Sequence, residues 1–146
     1  MNNEQIKPQD LRIDNWINHN LFGICNVLQI SKSGEIEISQ KVYTSYGFSE
    51  HRVVLNGELI PVPLTEDILL KCGFEKTMEY GGITPFFSKD LFYIEHDEVD
   101  GYKPYVLVHD PEGMEDSNIY TWIKSLHHLQ NYYYFITGQE LSINLK

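Results

Sequence analysis

A chain of 146 residues with 42% hydrophobic and 22% charged residues has the size and make-up of one globular domain, which excludes a disordered or fibrous reading. Its formal net charge of −10 opposes binding to nucleic-acid phosphates or anionic lipid. The apolar runs are short, so no membrane span is expected, and the polar start lacks a secretory leader. These features predict a cytoplasmic protein, with Cys25 and Cys72 as buried, reduced thiols.

The pattern predicts an α+β fold in a single domain, residues 1–146. Residues 1–10 read as a flexible polar tail. Residues 11–62 are β-rich: Leu11, Ile13, Trp16 and Ile17 suggest a first strand that slips phase at Asn15, and Leu21 to Ile30 a second. Glu35 to Ile38 alternates, and the runs flanking Asn56-Gly57 carry a two-residue hairpin signal. Together they suggest a small, bent antiparallel sheet or an SH3-like barrel.

A short helix is expected over 65–72. Thr65 suits its N-cap, Glu66 and Asp67 favour the positive end of the dipole, Lys71 the negative end, and Gly73 the left-handed position beyond. Residues 74–109 return to strands and form a second hairpin region, with Asp100-Gly101 as its turn. The spacing of Ile119, Trp122, Ile123, Leu126, Leu129, Tyr133 and Ile136 predicts one long amphipathic helix over 118–137, closed by Gly138. Alternation from Glu140 to Leu145 predicts a final short strand.

No catalytic pattern appears. There is no HExxH, CxxC, GxSxG or phosphate-loop glycine frame, and His127 and His128 stand too far apart around a helix to share a metal. His96 and His109 flank the second hairpin with carboxylates, yet match no ligand series. The chain therefore reads as a non-enzyme with no cofactor and no metal.

Charge and aromatic content point instead to protein contacts. From Asp90 to Asp116 nine carboxylates face Lys103 alone, a local balance of −8 within the total of −10. Glu95, Asp97, Glu98, Asp100, Glu112, Glu115 and Asp116 are the candidate contacts for a partner with a basic surface. The run Tyr132-Tyr133-Tyr134-Phe135 spans more than half a helical turn, so some of its rings must leave the core stripe. Tyr132 and Tyr134 are the candidates for a secondary interface. An RNA-stacking role would need basic neighbours, and that helix offers only Lys124.

Three runs, Leu11–Ile17, Ile60–Phe74 and Leu126–Leu141, together resemble a group of short, uncharacterised proteins of Bacteroidetes phages and prophages. The most specific part is Leu129-Gln130-Asn131 followed by Thr137-Gly138-Gln139-Glu140-Leu141. The resemblance implies a mobile-element setting inside a bacterium and carries no site residues. In that setting an acidic surface suggests an inhibitor of a host nucleic-acid enzyme, in the manner of anti-CRISPR proteins. The alternative is a structural or assembly accessory that oligomerises through the Tyr-rich helix.

Overall fold

The computed structural model describes residues 5–55, 58–78, 85–96, 105–109 and 119–145. The chain is mostly antiparallel β, with two five-stranded sheets and two α-helices. It divides into two compact units: Met1–Val62 with Gln130–Glu140, and Pro63–Leu129 with Leu141–Lys146.

In the first unit the strands are β1 (Trp16–His19), β2 (Gly23–Ile30), β3 (Ile36–Thr44), β4 (Gly47–Val54) and β5 (Leu59–Pro61), in the order β4-β3-β2-β1-β5. Alternate residues Ile17, Cys25, Val27, Ile36 and Ile38 turn inward and meet Leu55 and Leu59 in one apolar cluster. The register shifts between Val27 and Gln29, which marks a bulge in β2. Residues 5–10, expected in a flexible tail, are tied down instead. Ile6 is buried and its N–H donates to the Leu59 carbonyl at 3.0 Å, and Pro8–Asp10 form a 3₁₀ turn.

The antiparallel sheet was expected, but its pairing differs from the sequence reading. The segments that flank Asn56-Gly57 do not pair with each other: β4 pairs with β3, and β5 with β1. Asn56 and Gly57 lie outside the described residues. A dipeptide biases its own φ angles, whereas burial of Leu55 and Leu59 decides which strands their neighbours join. Among the described residues no ladder links β4 to β5, so these strands are the edges of an open sheet.

The second unit opens with α1 (Glu66–Lys71). The Thr65 hydroxyl accepts from the Ile68 N–H at 3.2 Å, and Ile68 and Leu69 are buried. Gly73 follows at φ +83°, where the Phe74 N–H reaches back to the Leu69 carbonyl at 3.1 Å. The sheet has the order β10-β9-β8-β7-β6, from β6 (Glu75–Met78), β7 (Pro85–Lys89), β8 (Phe92–His96), β9 (Tyr105–His109) and β10 (Ile119–Ile123). Strands β8 and β9 pair antiparallel from Phe92↔His109 to His96↔Tyr105, as the second hairpin signal requires. Asp100 and Gly101 themselves lie outside the described residues.

Two expectations near the C-terminus are corrected. The helix over 118–137 begins only at α2 (Leu126–Thr137), because Ile119–Ile123 form β10, paired from Ile119↔His109 to Ile123↔Tyr105. Ile-Tyr-Thr-Trp-Ile is rich in β-branched and aromatic residues, and Trp122 exposed beside Ile123 buried fits a strand. Isoleucines four apart match a helix equally well, and sheet pairing settles the choice. The final strand over Glu140 to Leu145 does not form. That segment lacks a ladder, although Leu141 is buried and the Asn144 N–H donates to the Lys71 carbonyl at 3.1 Å.

Candidate functional site

The first unit carries a groove of about 720 Å³ beside α2, lined among others by Leu11, Arg12, Asn131, Tyr132, Tyr134 and Phe135. Its wall arises from the phase of the helix. Leu126, Leu129, Gln130 and Tyr133 are buried at three- and four-residue steps, and this leaves Tyr132, Tyr134 and Phe135 on the outer arc. Phe135 is 85% exposed, Tyr132 37% and Tyr134 41%. A phenylalanine so open leaves a full aromatic ring in water, which disfavours the free state by about 2 kcal/mol relative to burial.

Arg12 also lines the groove. Its guanidinium carbon lies 3.6 Å from the Tyr134 ring centroid, and Nη2 is ion-paired with the Glu140 carboxylate. Nη1 is buried without a hydrogen-bond acceptor among the described residues, so its compensation comes from the aromatic face. Arg12 thereby packs against Tyr134 within the lining of the groove.

Beneath this surface a set of amides fixes the floor. Gln130 Oε1 accepts from the Trp16 N–H at 2.8 Å, and its Nε2 donates to the Asp14 carbonyl at 2.8 Å. Asn15, fully buried, donates from Nδ2 to Asn131 Oδ1 at 2.9 Å and accepts from the Arg12 N–H at 2.7 Å. Asn131 Nδ2 donates in turn to the Asp10 carbonyl at 3.0 Å. The bend they clamp includes Asp14 at φ +71°, a strained conformation for a non-glycine residue.

Comparison with family models, with curated proteins and with solved structures finds no match.

Of the residues singled out in the acidic stretch, Glu95 lies exposed on β8, opposite Val106 of β9. Asp97, Glu98, Asp100, Glu112, Glu115 and Asp116 lie outside the described residues. Tyr132 and Tyr134 are brought together with Phe135 and Arg12, two residues the sequence reading did not select. The aromatic run pointed toward Phe135. Nothing local marked Arg12, whose role depends on a contact with a residue far along the chain.

Ser125, His127 and the two cysteines are enclosed. Ser125 Oγ and His127 Nδ1 share a 2.9 Å hydrogen bond, but both residues are buried just where α2 starts. Both cysteines are free and buried. Among the described residues no cluster of three or more His, Cys, Asp or Glu could hold a metal ion. No helix among them is long and apolar enough to cross a membrane.

Proposed function

We propose that the chain is a non-enzymatic binding protein of a phage or related mobile element, and that the groove beside α2 seats an apolar side chain of a basic partner protein. The observation that carries this reading is Phe135, 85% exposed and flanked by Tyr132 and Tyr134. Aromatic anchors at the centre of an interface dominate binding energy, and tyrosine adds area at low entropic cost. The basic character of the partner follows from the net charge of −10 and from the acidic stretch between Asp90 and Asp116. In a phage setting a nucleic-acid enzyme of the host is the partner class that fits, as for an anti-CRISPR inhibitor.

The test is affinity capture from a bacterial lysate, followed by binding kinetics on the captured protein. Truncation of Phe135 to alanine removes only exposed atoms, so the fold should persist while affinity falls by about thirtyfold, chiefly through faster dissociation. Retention of the partner at unchanged affinity overturns the groove. If the wild type instead forms oligomers that Phe135→Ala dissolves, the same surface serves assembly, which is the alternative reading.

The acidic stretch calls for a separate experiment. Reversal of Glu95, Asp97, Glu98 and Asp100 to lysine should slow association by about tenfold or more at low salt and leave dissociation nearly unchanged. Unaltered capture at moderate salt removes that stretch from the interface.

A further inference from the structure

Strand β4 is an edge of its sheet, eight residues long, and Ser49, Glu50, His51, Arg52 and Val54 on it are exposed. The β3–β4 ladder runs without a shift from Glu37↔Val54 to Thr44↔Gly47, and the Leu55 N–H donates to the Ile36 carbonyl at 2.8 Å. In an antiparallel ladder hydrogen-bonded and non-bonded pairs alternate. Odd-numbered residues of β4 therefore bond to β3, and residues 48, 50, 52 and 54 direct their N–H and C=O groups toward the free edge. Among the described residues no strand pairs with that edge. Such an edge is ordinarily blunted by lysine, proline or charges of one sign. Here two charges of opposite sign, Glu50 and Arg52, occupy successive positions on one face.

We propose that β4 pairs antiparallel with β4 of a second copy of this chain, on a two-fold axis through His51. In that register Glu50 of each copy stands opposite Arg52 of the other, and residue 48 opposite residue 54. All of these are positions whose backbone groups point outward, so each pair exchanges two hydrogen bonds. The two His51 residues meet at the axis as a non-bonded pair, with Cα atoms about 4.5 Å apart. Charge selects this alignment. A shift of the axis to residue 50 sets Glu50 against its own copy, and a shift to residue 52 sets Arg52 against its own. Both are repulsive, and a change of the pairing register by an odd number of residues, which sets outward-pointing positions against inward-pointing ones, misdirects the backbone groups. Within one chain Arg52 also lies 3.5 Å from the half-buried Glu37, a contact with β3 that steadies its side chain without occupying the edge. The resulting dimer has one continuous sheet built from the two first-unit sheets, and its interface is separate from the groove beside α2.

Sedimentation across a wide concentration range tests the pairing through charge exchange. The wild type should dimerise with increasing concentration. Glu50→Arg alone and Arg52→Glu alone should each weaken the dimer by at least about tenfold, because every cross-strand attraction becomes a repulsion. The double variant Glu50→Arg/Arg52→Glu restores complementarity and should dimerise like the wild type. An equimolar mixture of the two single variants should form a heterodimer that neither forms alone. Circular dichroism monitors folding of each variant, and recovery in the double variant and in the mixture excludes simple unfolding. Phe135→Ala should leave the association unchanged. A wild type that stays monomeric overturns the proposal. So do single variants that associate normally, a mixture that stays monomeric, or a dimer lost with Phe135→Ala.

Discussion

Replacing Gln130 with leucine should destabilise the chain by about 1–3 kcal/mol, a sizeable share of the total stability of a small protein. Both ends of the Gln130 amide are engaged, Oε1 by the Trp16 N–H and Nε2 by the Asp14 carbonyl, and the residue is 1% exposed. Leucine fills nearly the same volume, so the loss would come mainly from the half-buried Trp16 N–H left without its acceptor, because the Asp14 carbonyl keeps the Asn26 amide at 2.7 Å. Relaxation of the strained Asp14 conformation, which the Gln130 contact helps to hold, would offset part of that loss. Urea unfolding followed by tryptophan fluorescence would show a lower midpoint at unchanged slope. Phe135→Ala, on the exposed side of the same helix and 85% exposed, should shift stability by about 0.5 kcal/mol or less. If Gln130→Leu proves as mild, the amide clamp contributes nothing to the fold.

The clamp joins two stretches that lie far apart in the chain. Asn15, Gln130 and Asn131 are where residues 11–17 and 126–141 bond to each other. A Gln-Asn pair inside a helix has no periodic signature, so neither hydropathy nor propensity could disclose its purpose. Its function is legible only once the bend at Asp14 is known. Features that close within one turn were read correctly: Thr65 capping α1, Gly73 and Gly138 ending their helices, and the aromatic run that leaves Tyr132 and Tyr134 outside. Features that depend on a distant partner were not. Ile119–Ile123 fits a helix by spacing and becomes a strand through β9, while the flanks of Asn56-Gly57 pair with β3 and β1. Arg12 stacks on Tyr134 across more than a hundred residues of sequence.

The enclosed thiols predict how stability should depend on alkaline pH. Burial pushes Cys72 up to about 12, with Lys89 opposing the shift in part, and burial pushes Cys25 up to about 11, both from an ordinary value of 9.0. Tyr105 is likewise raised, first by burial and then by the Glu66 charge. Each group holds its proton longer in the folded chain than in the unfolded one. Its contribution to stability is therefore complete below the unfolded pKa of 9.0 for the thiols, and it is lost as pH climbs toward the folded values. Through that window a single such thiol lowers the unfolding free energy by up to about 1.4 kcal/mol per pH unit. Urea midpoints should accordingly stay level from neutral pH to about 9 and then fall steeply. Cys72→Ala lowers the neutral-pH value by loss of packing, yet its decline above pH 9 should be shallower than that of the wild type, because the proton difference is gone. The two effects are opposite in sign and separable in one titration. Parallel curves for wild type and Cys72→Ala would mean that the thiol ionises as easily in the fold as in solvent. Its burial could then no longer account for a cysteine that is un-ionised, and so unreactive, at neutral pH.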